Sequence, residues 1–313
     1  VTRKTEQVRR TKRQIDGVLL FDKPLQLSSN SAMLKVRGLF GAEKAGHTGT
    51  LDPLATGLLP ICFGEATKFT HALLDADKRY RATIRLGQRT TTGDAEGEVI
   101  EERPVSTDEA QVRQVFLRFT GEISQLPPMH SALKHQGKPL YEYIRKGEMV
   151  ERETRQVFIR ELRLERWEGT ELDIDVLCSK GTYIRTLGED IGEALGCGGH
   201  LIALRRTGIG EFGLDKAHTL QELEAVDGAG RDALLLPVDS LVSGFPVLTL
   251  DAVQAGRLAQ GQRLAMRDQH PDGKRRLYAE GDFIGLGELV CGRLSPIRLL
   301  SGVARMAALP KSA

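Results

Sequence analysis

Two stretches of strict apolar–polar alternation restrict how this chain can fold more than any other feature. Tyr80, Ala82, Ile84 and Leu86 alternate with Arg81, Thr83 and Arg85, and Leu172, Ile174, Val176 and Cys178 alternate with Glu171, Asp173 and Asp175. Successive side chains of a strand point to opposite faces, so each stretch predicts a strand with one face against a core, and Tyr80 opens the first on its apolar side. Elsewhere the period changes. Val112, Val115, Phe116 and Phe119 recur at helical spacing behind a capping box of Ser106 and Glu109. Ile184, Leu187, Ile191 and Leu195 do the same and stop at Gly196 and Gly198-Gly199. A short apolar run over 17–21 ends at Asp22-Lys23-Pro24, and Ser28-Ser29-Asn30 offer N-caps for a helix over 32–39. Strands and helices mix through the first 210 residues, which predicts an α+β fold.

Residues 126–155 break this regularity with paired prolines, two histidines and little apolar periodicity, and read as an excursion from the core. From residue 246 short apolar pieces separated by Gly, Asp and basic residues predict a small β module. The length of 313 residues, 40% of them hydrophobic, fits two domains with real cores. The expected division is a basic arm over 1–14, a main domain over 15–245 and the small module over 246–313.

Charge and cysteine content narrow the classes of function. The net charge of +2 hides two cationic ends: residues 1–13 hold six basic and one acidic side chain, and residues 256–313 hold ten and five, leaving −8 between them. Basic ends on a near-neutral chain point to a polyanion touched at discrete places, although solvated surface lysines would look the same. The longest uncharged run is the twelve residues 53–64, too short for a membrane-spanning helix. Cys62, Cys178, Cys197 and Cys291 are scattered, without CxxC spacing, so neither a disulfide framework nor a zinc site is expected. A reducing, cytoplasmic setting without a secretory signal or membrane fits these features.

The chemistry concentrates in two places. Residues 45–57 pack three glycines and a proline around His47 and Asp52. Asp52-Pro53 is most simply an N-cap followed by proline in the first helical turn, yet a carboxylate on such a loop can also act as a nucleophile or base. No second acid stands at glycosidase spacing, a Ser–His–Asp triad is weakly supported, and the lysine and spacing of a phosphate-binding P-loop are missing. Residues 179–185 sit where a strand passes into a helix, a common ligand position. There, on the residues alone, Tyr183 reads first as a half-buried core tyrosine, Arg185 as a helix-surface arginine and Leu204 as core packing.

Taken together, Gly46-His47-Thr48-Gly49-Thr50-Leu51-Asp52-Pro53, Lys78-Arg79-Tyr80-Arg81, Gly181-Thr182-Tyr183-Ile184-Arg185 and Leu204-Arg205-Arg206 resemble the bacterial TruB family of tRNA pseudouridine synthases, in order from about residue 16 to 212. The first motif is extended by Gly64-Glu65-Ala66-Thr67-Lys68. The resemblance implies a mixed, mainly antiparallel sheet core with flanking helices, an RNA-clamping insert over about 126–155 and a C-terminal PUA-like module. It implies isomerisation of uridine-55 in the T-loop of tRNA by base flipping, with no cofactor, no metal, no obligate protein partner and a monomeric chain. The tRNA would be held by its T-arm, with the acceptor stem reaching the C-terminal module. On this resemblance Asp52 matches the catalytic aspartate, Tyr80 the tyrosine that removes the C5 proton, and Arg185 the arginine paired with the aspartate. His47, Tyr183 and Leu204 match positions that touch or replace the displaced nucleotide, and Lys68 and Lys23 match supporting or phosphate-contacting positions. Gln26 departs from a usual glycine after Lys23-Pro24, His130 from a usual aromatic before Ser131-Ala132, and Thr92 receives no role. A tRNA-binding or RNA-remodelling protein in which Asp52 merely caps a helix is the alternative, and a nucleoside hydrolase a weaker third.

Overall fold

The computed structural model describes residues 12–131, 133–266 and 270–303. Most of the basic arm expected over 1–14 lies outside the described residues. The chain runs β1 (Gly17–Lys23), α1 (Ser29–Phe40), β2 (Ala45–His47), β3 (Ala55–Phe63), β4 (Lys78–Leu86), α2 (Glu109–Arg118), β5 (Gly121–Gln125), β6 (Arg155–Glu168), β7 (Glu171–Cys178), α3 (Ile184–Ala194) and β8 (Gly199–Ile209). These strands form one sheet in the order β1-β3-β8-β4-β7-β6-β5, with β2 added beside β3. The neighbours along this path are antiparallel except β3 and β8, which pair in parallel with Leu204 opposite Ala55. The mixed, mainly antiparallel α+β expectation therefore holds.

The alternating segments behave as their periodicity requires. Tyr80, Ala82, Ile84 and Leu86 are buried along β4, and Leu172, Ile174, Val176 and Cys178 along its neighbour β7. On β1 alternate residues serve different cores: Leu19 and Phe21 join the cluster containing Val36, Val112 and Ile191 of the three helices, while Val18 and Leu20 face the other side. That strand is buried on both faces, which is why it reads as a continuous apolar run. α1 starts from Ser28, whose hydroxyl accepts from Ser31 N–H, and closes on Gly41 at φ +61°. α2 departs from the expected cap. Asp108, not Ser106, caps it, and Asp108 and Gln111 make the reciprocal box, because the helix begins two residues later than the Ser106–Glu109 frame requires.

Between β5 and β6 the chain leaves the sheet for residues 126–154, where the described residues hold a hairpin of two two-residue strands and the short helix Leu140–Ile144. After β8 a second sheet is built from β9 (Val247–Leu250), β10 (Leu264–Ala265), β11 (Gly273–Ala279), β12 (Asp282–Val290) and β13 (Arg293–Leu299), in the order β9-β11-β12-β13-β10, with helix α4 (Ala252–Ala259) beside it. This C-terminal β module has its own core of Leu250, Leu258, Leu277 and Leu294. It is also fused to the main sheet through Leu286, Phe283 and Leu300, which pack with Leu20, Phe69 and Leu73. Among the described residues no helix is long and apolar enough to cross a membrane.

Candidate active site

Asp52 stands on a turn rather than at the start of a helix: Ala55 N–H donates to Asp52 C=O at 3.0 Å, and the chain enters β3 directly. The helix-capping reading of Asp52-Pro53 is therefore overturned, because three residues after Asp52 the backbone is already paired to β8. The turn is clamped from both sides. The buried Ser29 hydroxyl accepts from Leu51 N–H at 2.7 Å and donates to Leu51 C=O at 3.0 Å, and Gln26 N–H donates to Pro53 C=O at 3.0 Å. Gln26 occupies φ +66°, a left-handed conformation that glycine adopts more cheaply. The departure noticed in the sequence thus falls where the backbone is strained. Behind the turn, β3 and β8 approach so closely at Gly57, φ +99°, that a Cβ there would lie 2.3 Å from Arg206 C=O.

The first turn of α3 brings Arg185 to Asp52. A cation near a helix N-terminus opposes the helix dipole and requires compensating anions. Arg185 has two: Nη2 lies 3.0 Å from Asp52 Oδ2, and Nη1 lies 3.4 Å from Asp94 Oδ2. Its remaining contacts are donations to Thr92 C=O at 3.2 Å and His130 C=O at 2.6 Å. The Arg185 side chain is 6% exposed, so it is no surface arginine, whereas that of Asp52 is 40% exposed and stays open to the cleft. Burial raises the Asp52 carboxyl above the ordinary carboxylate range, Arg185 opposes that, Asp94 adds to it, and Lys23 opposes it.

A cleft of about 260 Å³ beside Asp52 is lined by Tyr80, Tyr183, Arg185, Leu204 and Arg206. Five of the eight residues singled out in the sequence, Asp52, Tyr80, Tyr183, Arg185 and Leu204, meet in it. The pairing of β8 with β3 and β4 explains how: Leu204 lies opposite Ala55 and Ala82, and Arg206 opposite Tyr80. Tyr183 is fixed through its backbone, since the buried Gln125 amide accepts from its N–H at 3.0 Å and donates to its C=O at 3.2 Å. Burial raises the phenols of Tyr80 and Tyr183 above their ordinary values.

The other three stand outside the lining. His47, on β2, has a buried Nδ1 without a hydrogen-bond partner among the described residues, and burial followed by the charge of Arg206 favours its neutral ring. Lys23 is wholly buried, and its ammonium donates to Pro24 C=O at 3.0 Å and Leu27 C=O at 2.6 Å. Lys68 faces the C-terminal module instead, bound to Glu65 at 2.9 Å, Leu299 C=O at 3.1 Å and Ser301 Oγ at 2.8 Å. Sequence reasoning missed Asp94, Ser29 and Gln125, and gave Thr92 no role although its carbonyl holds Arg185. Ordinary polar residues in turns and strand ends carry no periodic signal, and only the folded geometry reveals what they hold.

Known proteins resemble the chain along almost its whole length. Family profiles match residues 37–184 as "TruB family pseudouridylate synthase (N terminal domain)", 185–243 as "tRNA pseudouridylate synthase B C-terminal domain" and 246–300 as "Pseudouridine synthase II TruB, C-terminal". The tRNA pseudouridine synthase B of Chromobacterium violaceum is 58% identical over 301 residues, covering 95% of this chain and 98% of that protein. That of Burkholderia lata is 55% identical over 304 residues, covering 96% and 94%. Among solved structures, a chain of a Cbf5-Nop10-Gar1 complex superposes with a TM-score of 0.67 at 26% identity, covering 88% of this chain and 78% of that one.

Proposed function

Because the chain belongs to the TruB family of pseudouridine synthases, we propose that its cleft isomerises uridine-55 in the T-loop of tRNA, with Asp52 as the nucleophile. In this isomerisation the bond from C1′ to N1 breaks, a bond from C1′ to C5 forms, and the proton on C5 is exchanged for one on N1, so no atom is gained or lost. The observation that carries the reading is the buried guanidinium of Arg185 held 3.0 Å from a half-open carboxylate, at the wall of a cleft lined by two tyrosines and a leucine. A fixed cation favours the ionised oxygen that attack requires.

The remaining roles follow from position. The target base is stacked in a folded loop, and extracting it costs a few kcal/mol. Contact with a ring of the protein returns about 1–3 kcal/mol per base. Tyr80 and Tyr183 supply such surfaces, Leu204 wedges beside them, and Tyr80 takes the C5 proton. His47, on the strand that leads into the Asp52 turn, fills the place left by the flipped nucleotide. Lys23 supports the site through the field it exerts on Asp52. Residues 126–155 clamp the T-arm, and the basic C-terminal module extends the contact along the acceptor stem.

Asp52→Asn keeps the size of the side chain and removes its charge. Unmodified tRNA incubated with this variant yields no pseudouridine at position 55, by chemical mapping of the product, while tRNA affinity stays within about threefold, a free-energy change below about 1 kcal/mol. Turnover at the parental rate would leave the RNA-remodelling reading standing and remove the nucleophile from Asp52.

A further inference from the structure

Among the described residues Arg206 is the largest fully buried side chain, 1% exposed, and no carboxylate pairs with it. Its Nε donates to Leu58 C=O at 2.8 Å and its Nη2 to Gly49 C=O at 3.0 Å, which fixes the guanidinium plane from two sides of the Asp52 loop. A buried cation lacking an anion is costly, and burial does pull its proton affinity down. Its neighbour across the sheet is Tyr80. Arg206 on β8 and Tyr80 on β4 are cross-strand partners, and both line the cleft.

We propose that Arg206 is a positioning residue for the isomerisation: its guanidinium, fixed across the sheet from Tyr80, stabilises the phenolate that forms when the phenol gives its hydrogen to the bound base. The inference rests on the proposed role of Tyr80. Once C1′ is bonded to C5, the phenol proton passes to N1 and the C5–H bond breaks. The electron pair of that bond becomes the C5–C6 double bond, the pair of the N1–C6 double bond returns to N1, and the C5 proton passes to the phenolate oxygen. Tyr80 is then a phenol again, and no further reactant is needed.

The surroundings make Arg206 the group suited to this. From the neighbouring elements, Cys178 on β7 and Asp52 on its loop face Tyr80, and both disfavour its negative charge. Arg206 alone among the interacting groups favours it, through its positive charge. Around Arg206 stand Lys78, His47 and Lys23, all of which burial and the Arg206 charge drive toward their neutral forms. The charge available behind the phenol is therefore concentrated on the one cation that does not deprotonate in proteins.

The test replaces Tyr80 by 3,5-difluorotyrosine in the full chain and follows its ionisation by fluorine NMR in the parent, Arg206→Gln and Arg206→Lys. The midpoint rises by about one pH unit or more in Arg206→Gln, corresponding to about tenfold in the phenolate equilibrium. It rises by less than about one unit in Arg206→Lys, whose ammonium supplies part of the charge although burial favours its neutral form. On unmodified tyrosine, single-turnover formation of pseudouridine falls about tenfold or more in Arg206→Gln, while tRNA affinity, which also reports a folded cleft, stays within about twofold. An unmoved midpoint in Arg206→Gln, or a Lys variant displaced by more than one unit, overturns the proposal. Should the Gln variant not fold, the Lys criterion stands by itself. Parental turnover in Tyr80→Phe overturns the role of Tyr80, and the fluorine titration still reports separately on the pairing with Arg206.

Discussion

Replacing Lys23 by methionine separates the cost of a buried ammonium from the value of the hydrogen bonds it makes. Lys23 is fully enclosed, donates to Pro24 and Leu27 carbonyls and makes no direct ion pair among the described residues, so burial, only partly offset by Asp52 and Glu96, pulls it down from 10.5 to about 8. A gap of about 2.5 pKa corresponds to about 3 kcal/mol of stability withheld from the folded chain below about pH 8. The sign follows from proton counting. Between about pH 8 and 10.5 the unfolded chain binds more protons at this lysine than the folded one, so the parent gains stability relative to Lys23→Met as pH rises through that window. The orphaned carbonyls cost the variant about 1–3 kcal/mol at every pH, so the two proteins are close in stability near neutrality and the variant falls behind in alkali. Urea denaturation of both proteins at about pH 7 and about pH 10.5 measures this. The difference between them widens by about 3 kcal/mol in favour of the parent. A constant difference would mean that burial does not lower the proton affinity of Lys23, and a narrowing one would reverse the argument. Because the Lys23 charge also lowers Asp52, the acid limb of turnover moves to higher pH in the variant.

Three further outcomes follow from the same geometry. Gln26→Gly relieves the φ of +66° beside Pro53 and raises stability by about 1 kcal/mol in urea denaturation with turnover retained; a loss of stability would show that the turn is not strained. Asp94→Asn breaks a buried pair with Arg185 and costs about 3 kcal/mol in thermal or urea unfolding. Since Asp94 helps raise Asp52, the acid limb of turnover shifts to lower pH in that variant, and an upward shift would contradict the assignment. Leu286→Ala opens a cavity between module and main sheet and lowers stability by about 2–4 kcal/mol in a single cooperative transition; two separated transitions would show that the module folds independently of the core it shares.

Lys68 shows how a family motif leaves the surroundings of its residues open. It belongs to a stretch that marks the family, yet with Glu65 it grips Leu299 and Ser301 of the C-terminal module rather than facing the cleft. The contact joins residues more than 230 positions apart in the chain, and no local pattern encodes such a partner. His130 departs from the family pattern in its side chain, but what Arg185 uses is its backbone carbonyl, which any residue supplies.

The strands through Tyr80 and Leu172 and the helix behind Tyr183 were legible because alternation and helical spacing are local consequences of where side chains point from a backbone. Register was not. Whether Arg206 lies across from Tyr80, whether Asp52 caps a helix or opens a turn, and whether Arg185 meets solvent or two carboxylates depend on how distant strands slide against one another. Burial then decides the chemistry: water withdrawn from Asp52, Tyr80 and Lys23 changes their proton affinities, and which groups lose their water is a property of the assembled cleft.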